Sequence, residues 1–220
     1  MPMKSDEFNA SALDTGTWTT EDPIGSTTFS VTGTQVSMAF SSNASGDRDM
    51  YTTGANGSRI VQTVGDVQTF DIQAKFDTVL SANYQITGFA FWESTTRFLR
   101  ADNYWSGSPQ RYFSDITVGG AENLKDNGAA LVTNGSSSRY LRMQRSGTTW
   151  TWSESSDGVS WTQRFSGSIT FTLLKWGLVT GAGNPGSGYP ANTGLVDWVR
   201  VRQPNPNQLI QSAVDRSFSW

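Results

Sequence analysis

Any chemistry in this chain has to be done without histidine or cysteine, because its 220 residues contain neither. No Ser-His-Asp triad, thiolate nucleophile or usual zinc site can be assembled from it. Carboxylates, tyrosine, lysine, arginine and an oxygen-bound hard cation such as calcium remain. A retaining glycosidase needs two carboxyls about 5–5.5 Å apart, and strand parity tests the nearby pairs. Asp66 and Asp71 are five positions apart and would point to opposite faces of one strand. Asp71 and Asp77 share parity, but six residues of strand span roughly 20 Å. Glu154 and Asp157 fail because Asp157 belongs to an Asp-Gly turn. A catalytic pair would have to converge from distant segments.

A second concentration of reactive residue types runs from Trp92 to Arg97, from Arg100 to Trp105, and through Arg111 and Tyr112. Sugars are held by stacking a ring on an aromatic face while planar polar side chains bind the hydroxyls. Arg100 and Asp102 share parity opposite to Leu99, so they face away from the core if Leu99 faces in. Trp105 stands beside the loop Ser106-Gly-Ser-Pro109, where an exposed ring has a use. Trp92 has two readings, rim packing or ligand contact. Trp150 and Trp152 share a face and form either one core layer or, with Arg142, an exposed ridge. Asp47-Arg-Asp49 reads as a solvated turn, with calcium ligation as its second reading.

The elements that must position these residues are strands. Apolar Phe70, Ile72, Ala74 and Phe76 alternate with Asp71, Gln73 and Lys75, the pattern of a half-buried strand. Similar runs occur at 35–40, 59–64, 84–92, 97–102, 139–145, 150–153, 161–165, 173–180 and 195–202. Asn56-Gly57, Asn134-Gly135, Ser146-Gly147 and Asp157-Gly158 punctuate them as turns. About a dozen short antiparallel strands predict an all-β, two-sheet antiparallel sandwich or jelly roll. It would occupy residues 1–203, followed by a tail at 204–220. There Leu209, Ile210, Ala213 and Val214 are spaced as in a short helix over 208–218 packed back on the domain, with a linker stub or an oligomer contact as the alternative. Sixteen basic against 19 acidic residues, with no like-charge block, argues against a nucleic-acid partner. No apolar run reaches the ~20 residues of a membrane span. The opening residues lack a secretory leader, so the chain is expected either to avoid that route or to start after a removed one.

Four stretches carry a family likeness. They are Asp6-Glu-Phe-Asn9 with Leu13-Asp14 and Trp18; Gly88-Phe-Ala-Phe-Trp92 with Arg97-Phe-Leu-Arg100; Leu141-Arg-Met-Gln-Arg-Ser-Gly147 with Trp150, Ser155-Ser-Asp-Gly158 and Trp161; and Val196-Asp-Trp-Val-Arg-Val201. Together they resemble the concanavalin A-like lectin/glucanase superfamily of jelly rolls, in particular modules related to the C-terminal domains of family 43 glycosidases. The likeness spans residues 5–202. It assigns Trp18, Trp161, Trp176 and Trp198 to the core. It implies that the hairpin bearing Arg100, Asp102, Asn103, Tyr104 and Trp105 lies on the concave, ligand-bearing sheet or its rim. It also implies a structural calcium held by Asp197 with an oxygen from the Asp6-Glu7 region. The "Glu-x-Asp-x-x-Glu" strand of the glucanase branch is missing, so the chain is expected to bind a polysaccharide or glycan without cleaving it. Such a lectin-like module would act outside the cell or on a cell or virion surface. A structural or adhesion module without sugar binding and a divergent glycoside hydrolase are the alternatives.

Overall fold

The computed structural model describes residues 1–42, 46–128, 139–183 and 189–204. Its strands are β1 (Thr19–Glu21), β2 (Thr28–Val31), β3 (Val36–Phe40), β4 (Met50–Tyr51), β5 (Gly54–Ala55), β6 (Ser58–Thr63), β7 (Thr69–Phe76) and β8 (Gln85–Trp92). They continue with β9 (Arg97–Trp105), β10 (Pro109–Thr117), β11 (Glu122–Gly128), β12 (Arg139–Ser146), β13 (Thr149–Ser155), β14 (Thr162–Ser168), β15 (Lys175–Ala182) and β16 (Asn192–Arg202). Each run read from the alternation has become a strand. The tail helix expected at 208–218 lies outside the described residues. No helix among the described residues is long and apolar enough to cross a membrane.

Two seven-stranded sheets face each other. The front sheet runs β1-β6-β15-β8-β9-β10-β11 and the back sheet β14-β13-β12-β7-β16-β3-β2; β4 and β5 form a separate small hairpin. Alternation sends one side chain in two between the sheets. Phe89, Phe91, Leu99, Ala101, Phe113 and Trp176 of the front sheet meet Phe70, Ile72, Phe76, Met143, Trp150 and Trp152 of the back sheet in one buried core. Trp150 and Trp152 have no exposed surface, which settles them as a core layer rather than a ridge. A second, smaller cluster lies on the outer face of the front sheet: Val61, Ala90, Trp92, Phe98, Ile116 and Val179, sealed by Met50.

Met50 belongs to a strap, residues 48–57, that crosses this outer face. Arg48 N–H donates to the carbonyl of Ala182 (3.2 Å), and Gly119 N–H to that of Thr52 (2.7 Å). Gly181 permits the contact, since a Cβ there would sit 2.4 Å from the Arg48 carbonyl oxygen. The Asp47-Arg-Asp49 segment is therefore no solvated turn. Arg48 is 1% exposed, packs over the Phe40 ring at 4.6 Å and donates to the carbonyl of Gly25.

Two of the four tryptophans assigned to the core are placed otherwise. Trp18 and Trp176 are buried and in edge contact, but Trp161 and Trp198 are half-exposed on the outer face of the back sheet. For Trp198 the cause is a bulge in β16, where Val196 pairs with Phe76 and Trp198 already with Lys75. The extra residue shifts the parity, so Val196 and Val199 face in while Trp198 faces out.

Candidate functional site: a tyrosine-walled pocket beside the strap

Strand β9 pairs with β8 and β10 in continuous register from Arg97 to Trp105, so its side chains alternate without interruption. Leu99 and Ala101 enter the inter-sheet core, whereas Phe98 packs in the outer cluster. Arg100, Asp102 and Tyr104 therefore share the outer face, as the parity argument requires. Gly88 lies opposite Asp102 on β8; a Cβ there would be 2.4 Å from the Asp102 Cα, so only glycine allows the strands to close at this point.

Beside the strap these residues form a cavity of about 320 Å3, lined by Asp49, Tyr51, Tyr84, Ile86, Arg100, Tyr104, Tyr112, Glu122 and Leu124. Its volume is at the lower end of the range for small-ligand sites. The floor is an ion pair. Arg100 Nε and Nη2 donate to the two oxygens of Asp102 at 2.6 and 3.0 Å, and Nη1 donates to the Met50 carbonyl at 2.7 Å. The guanidinium also lies 4.4 Å above the Tyr112 ring. Asp102 is fully buried, and that burial pushes its carboxyl up to about 6 while Arg100 pulls it down. Asp49 lies 3.6 Å from Arg100. Glu122 accepts a hydrogen bond from the Tyr51 hydroxyl at 2.7 Å, which raises the tyrosine's pKa. The other oxygen of Glu122, Oε1, is buried and has no hydrogen-bond partner among the described residues.

The walls are aromatic. Tyr104 and Tyr112 meet edge-to-face at 5.6 Å, and the Tyr104 hydroxyl donates to Gln110. Tyr84 is the unusual member: its φ of 69° lies in the left-handed region, while its ring stays 40% exposed. Two backbone hydrogen bonds hold it there, from Tyr84 N–H to the Trp105 carbonyl (2.7 Å) and from Gly183 N–H to the Tyr84 carbonyl (3.1 Å). A bulky residue in that conformation stores about 1–3 kcal/mol, and such strain collects at ligand sites.

Of the six residues expected to bind sugar, three line or floor this pocket: Arg100, Asp102 and Tyr104. Asn103 and Trp105 point to the other face of β9, and Asn103 is 1% exposed. Trp92 shares the outer face but is 3% exposed in the apolar cluster beneath the strap, with Arg59 (5.0 Å) and Lys175 (4.9 Å) over its ring. It borders a separate hollow of about 280 Å3 across the strap. Asp49, Tyr51, Tyr84 and Glu122 were missing from the sequence-based set. A larger depression of about 470 Å3 on the back sheet has only one aromatic lining residue, Phe70, which is 3% exposed.

The two acids expected to hold a calcium, Asp197 and Asp6, are engaged by partners within the protein. Asp197 is paired with Lys75 at 2.6 Å, and Asp6 already accepts from the Phe8 N–H and the Trp18 indole, both at 2.8 Å. No group of three acidic side chains able to hold a metal occurs among the described residues. Of the nearby carboxylates weighed as catalytic pairs, Asp66 is held by Arg145, Asp71 by Arg142 and Glu154 by Arg164; Asp77 shares Lys75 with Asp197, and Asp157 accepts from the Val159 and Ser160 N–H groups of its turn.

No protein-family model and no curated protein sequence matches the chain. Its structure is nevertheless similar to solved ones. A GH43 protein of Bacillus licheniformis superposes with a TM-score of 0.68 at 15% identity, over 90% of this chain and 38% of that one. A xylan β-1,4-xylosidase of Bacillus halodurans gives 0.65 at 14% identity, over 92% of this chain and 39% of the other. A glycosyl hydrolase family protein of Mycobacterium fortuitum gives 0.59 at 16% identity, over 90% and 98%. This chain thus spans under two-fifths of the length of both Bacillus proteins. At such identities the likeness establishes architecture alone. The chain is an all-β sandwich of two antiparallel sheets, a fold it shares with part of each of these Bacillus proteins.

Proposed function

We propose that the chain is a carbohydrate-binding module whose site is the tyrosine-walled pocket on the outer face of the front sheet. One observation carries the reading. Four tyrosines from four separate segments converge on a buried Arg100–Asp102 pair, with Tyr84 held in a strained backbone conformation to do so. Aromatic faces suit the C–H surface of a pyranose, and tyrosine hydroxyls and carboxylates suit its hydroxyls. The strap closes one side of the pocket, which favours a short oligosaccharide or a chain end over the interior of a polymer. Similarity to carbohydrate-active proteins supports the ligand class.

Catalysis is the second reading, because Asp49 and Glu122 line the same pocket from different segments. Calorimetric titration of the protein against neutral and charged oligosaccharides, with a parallel assay for newly formed reducing ends, separates the two. Binding without release is expected. Tyr104→Ala should weaken binding by at least ~1 kcal/mol, and Trp105→Ala, on the opposite face, should leave it intact. Release of reducing ends abolished by Glu122→Gln would establish a hydrolase. Silence against every oligosaccharide would overturn the proposal in favour of a structural or adhesion role.

A further inference from the structure

We infer that the ligand of this pocket carries a positively charged amine, as an amino-sugar unit does; the inference rests on the carbohydrate reading above. The first ground is charge. Three carboxylates, Asp49, Asp102 and Glu122, surround a single guanidinium, that of Arg100. Arg100 is already committed, with Nε and Nη2 on Asp102 and Nη1 on the Met50 carbonyl, so little of its donor capacity faces a ligand. Lys125 shares β11 with Glu122 but is not among the lining residues. Of the segments outside the described residues, 43–45, 129–138 and 184–188 contain no charged residue, and 205–220 contains one arginine, Arg216, next to one aspartate, Asp215, which adds no net cation. A uronate would meet net repulsion here, and an ammonium net attraction.

The second ground is the Oε1 of Glu122. A buried carboxylate oxygen without a donor is costly, more so than a neutral acceptor left in the same state. Glu122 lines the pocket, so an ammonium there brings the opposite charge beside this carboxylate, which a neutral hydroxyl does not. The third ground is the walls. The faces of Tyr51, Tyr84, Tyr104 and Tyr112 carry negative quadrupole potential, which favours a cation over a neutral group. One of these rings already does this, since the Arg100 guanidinium sits 4.4 Å over Tyr112. Aromatic faces with carboxylates at their rim are a general solution to ammonium recognition.

The test is calorimetric titration at one pH with three β-1,4-linked tetramers: glucosamine, N-acetylglucosamine and xylose. The glucosamine tetramer should bind at least about ten-fold more tightly than its N-acetylated counterpart, a difference of about 1.4 kcal/mol. Glu122→Gln, nearly isosteric, should collapse that ratio to within about three-fold. Asp49→Asn provides a second variant if Glu122→Gln misfolds by circular dichroism. Glu7→Gln removes an acid that pairs with Arg200 on the outer face of the opposite sheet and should keep the ratio; loss of the ratio there would mean unspecific attraction of a polycation and would overturn the inference. Equal or tighter binding of the neutral tetramers would overturn it too, while leaving the carbohydrate reading standing. If no tetramer binds, the amine inference is overturned, and the wider oligosaccharide titration above decides the carbohydrate reading.

Discussion

The two outer faces of the sandwich carry the same set of residues and put it to different use. On the front, Arg100 is held by both oxygens of Asp102 and lies over Tyr112; on the back, Arg200 is held by both oxygens of Glu7 and lies 4.2 Å over Trp198. Burial separates them. The front pair has side-chain exposures of 6% and 0%, the back pair 55% and 47%. The strap and the tyrosines create the difference, removing water from Arg100 and Asp102 and leaving a hollow beside them. On the back face the same three groups stay in solvent, where charge is screened and the geometry organises little. An arginine, a carboxylate and an aromatic ring make a site only where the fold dehydrates them.

Breaking the front pair tests that comparison most severely. Arg100→Met keeps the aliphatic stem but leaves Asp102 buried without its counter-charge, a loss of about 3–5 kcal/mol for such pairs. The loss should depend on pH. The carboxyl of Asp102 is raised to about 6 in the folded protein, above its ordinary value. Its contribution to stability is therefore fully present at low pH and is lost as pH rises through about 6. Without Arg100, which pulls that value down, the cost of ionising Asp102 grows further. Denaturant unfolding of the wild type and Arg100→Met at pH 5 and pH 7.5 should show the larger gap at pH 7.5. Equal gaps would mean that the buried carboxylate is not the source of the loss.

Backbone strain gives the next effect in size. Phe8 (φ 47°) and Tyr84 (φ 69°) both occupy the left-handed region. Phe8 offsets its strain by burial, at 2% exposure in the core cluster and 5.9 Å from Trp18. Tyr84 is 40% exposed and gains much less from packing. Tyr84→Gly should therefore raise stability by about 1 kcal/mol while weakening oligosaccharide binding, and Phe8→Gly should lower stability. A Tyr84→Gly variant that loses stability would show that the ring is held for packing rather than for a ligand.

Period-two alternation made the sheets legible, and with them the outward direction of Arg100 and Asp102, because that inference needs only an uninterrupted strand and a known core residue. The same parity turns Asn103 and Trp105 away, a consequence that composition and loop proximity obscured. Glu122 could not be read because β11 has a single large apolar residue, Leu124, and so shows no alternation, and β10 begins with a proline that masks a strand start. Asp49 and Tyr51 reach the site on a strap whose strands are two residues long, and Tyr51 meets Glu122 across 71 positions of sequence. Trp198 was misplaced because the bulge beside it leaves no mark on the hydrophobic pattern. Local periodicity reports which face a side chain takes; it does not report what covers that face.

The back pair supplies the smallest effect and the control for the rest. Arg200 holds the Glu7 carboxyl below its ordinary range, chiefly through the hydrogen bond. The contribution is thus present at neutral pH and lost as pH falls through the lowered folded value. Exposed pairs of this kind contribute roughly 0.2–1 kcal/mol, so Glu7→Gln should cost that much at pH 7 in low salt and close to nothing at high salt. Arg200→Gln removes the pair and also the contact over Trp198, which salt screens less because it is partly dispersion and ring packing. A residual loss for Arg200→Gln at high salt, absent in Glu7→Gln, would measure the ring contact alone. Identical behaviour of the two variants would mean that stacking on an exposed tryptophan adds nothing here, and that the Arg100–Tyr112 contact matters only because it is dry.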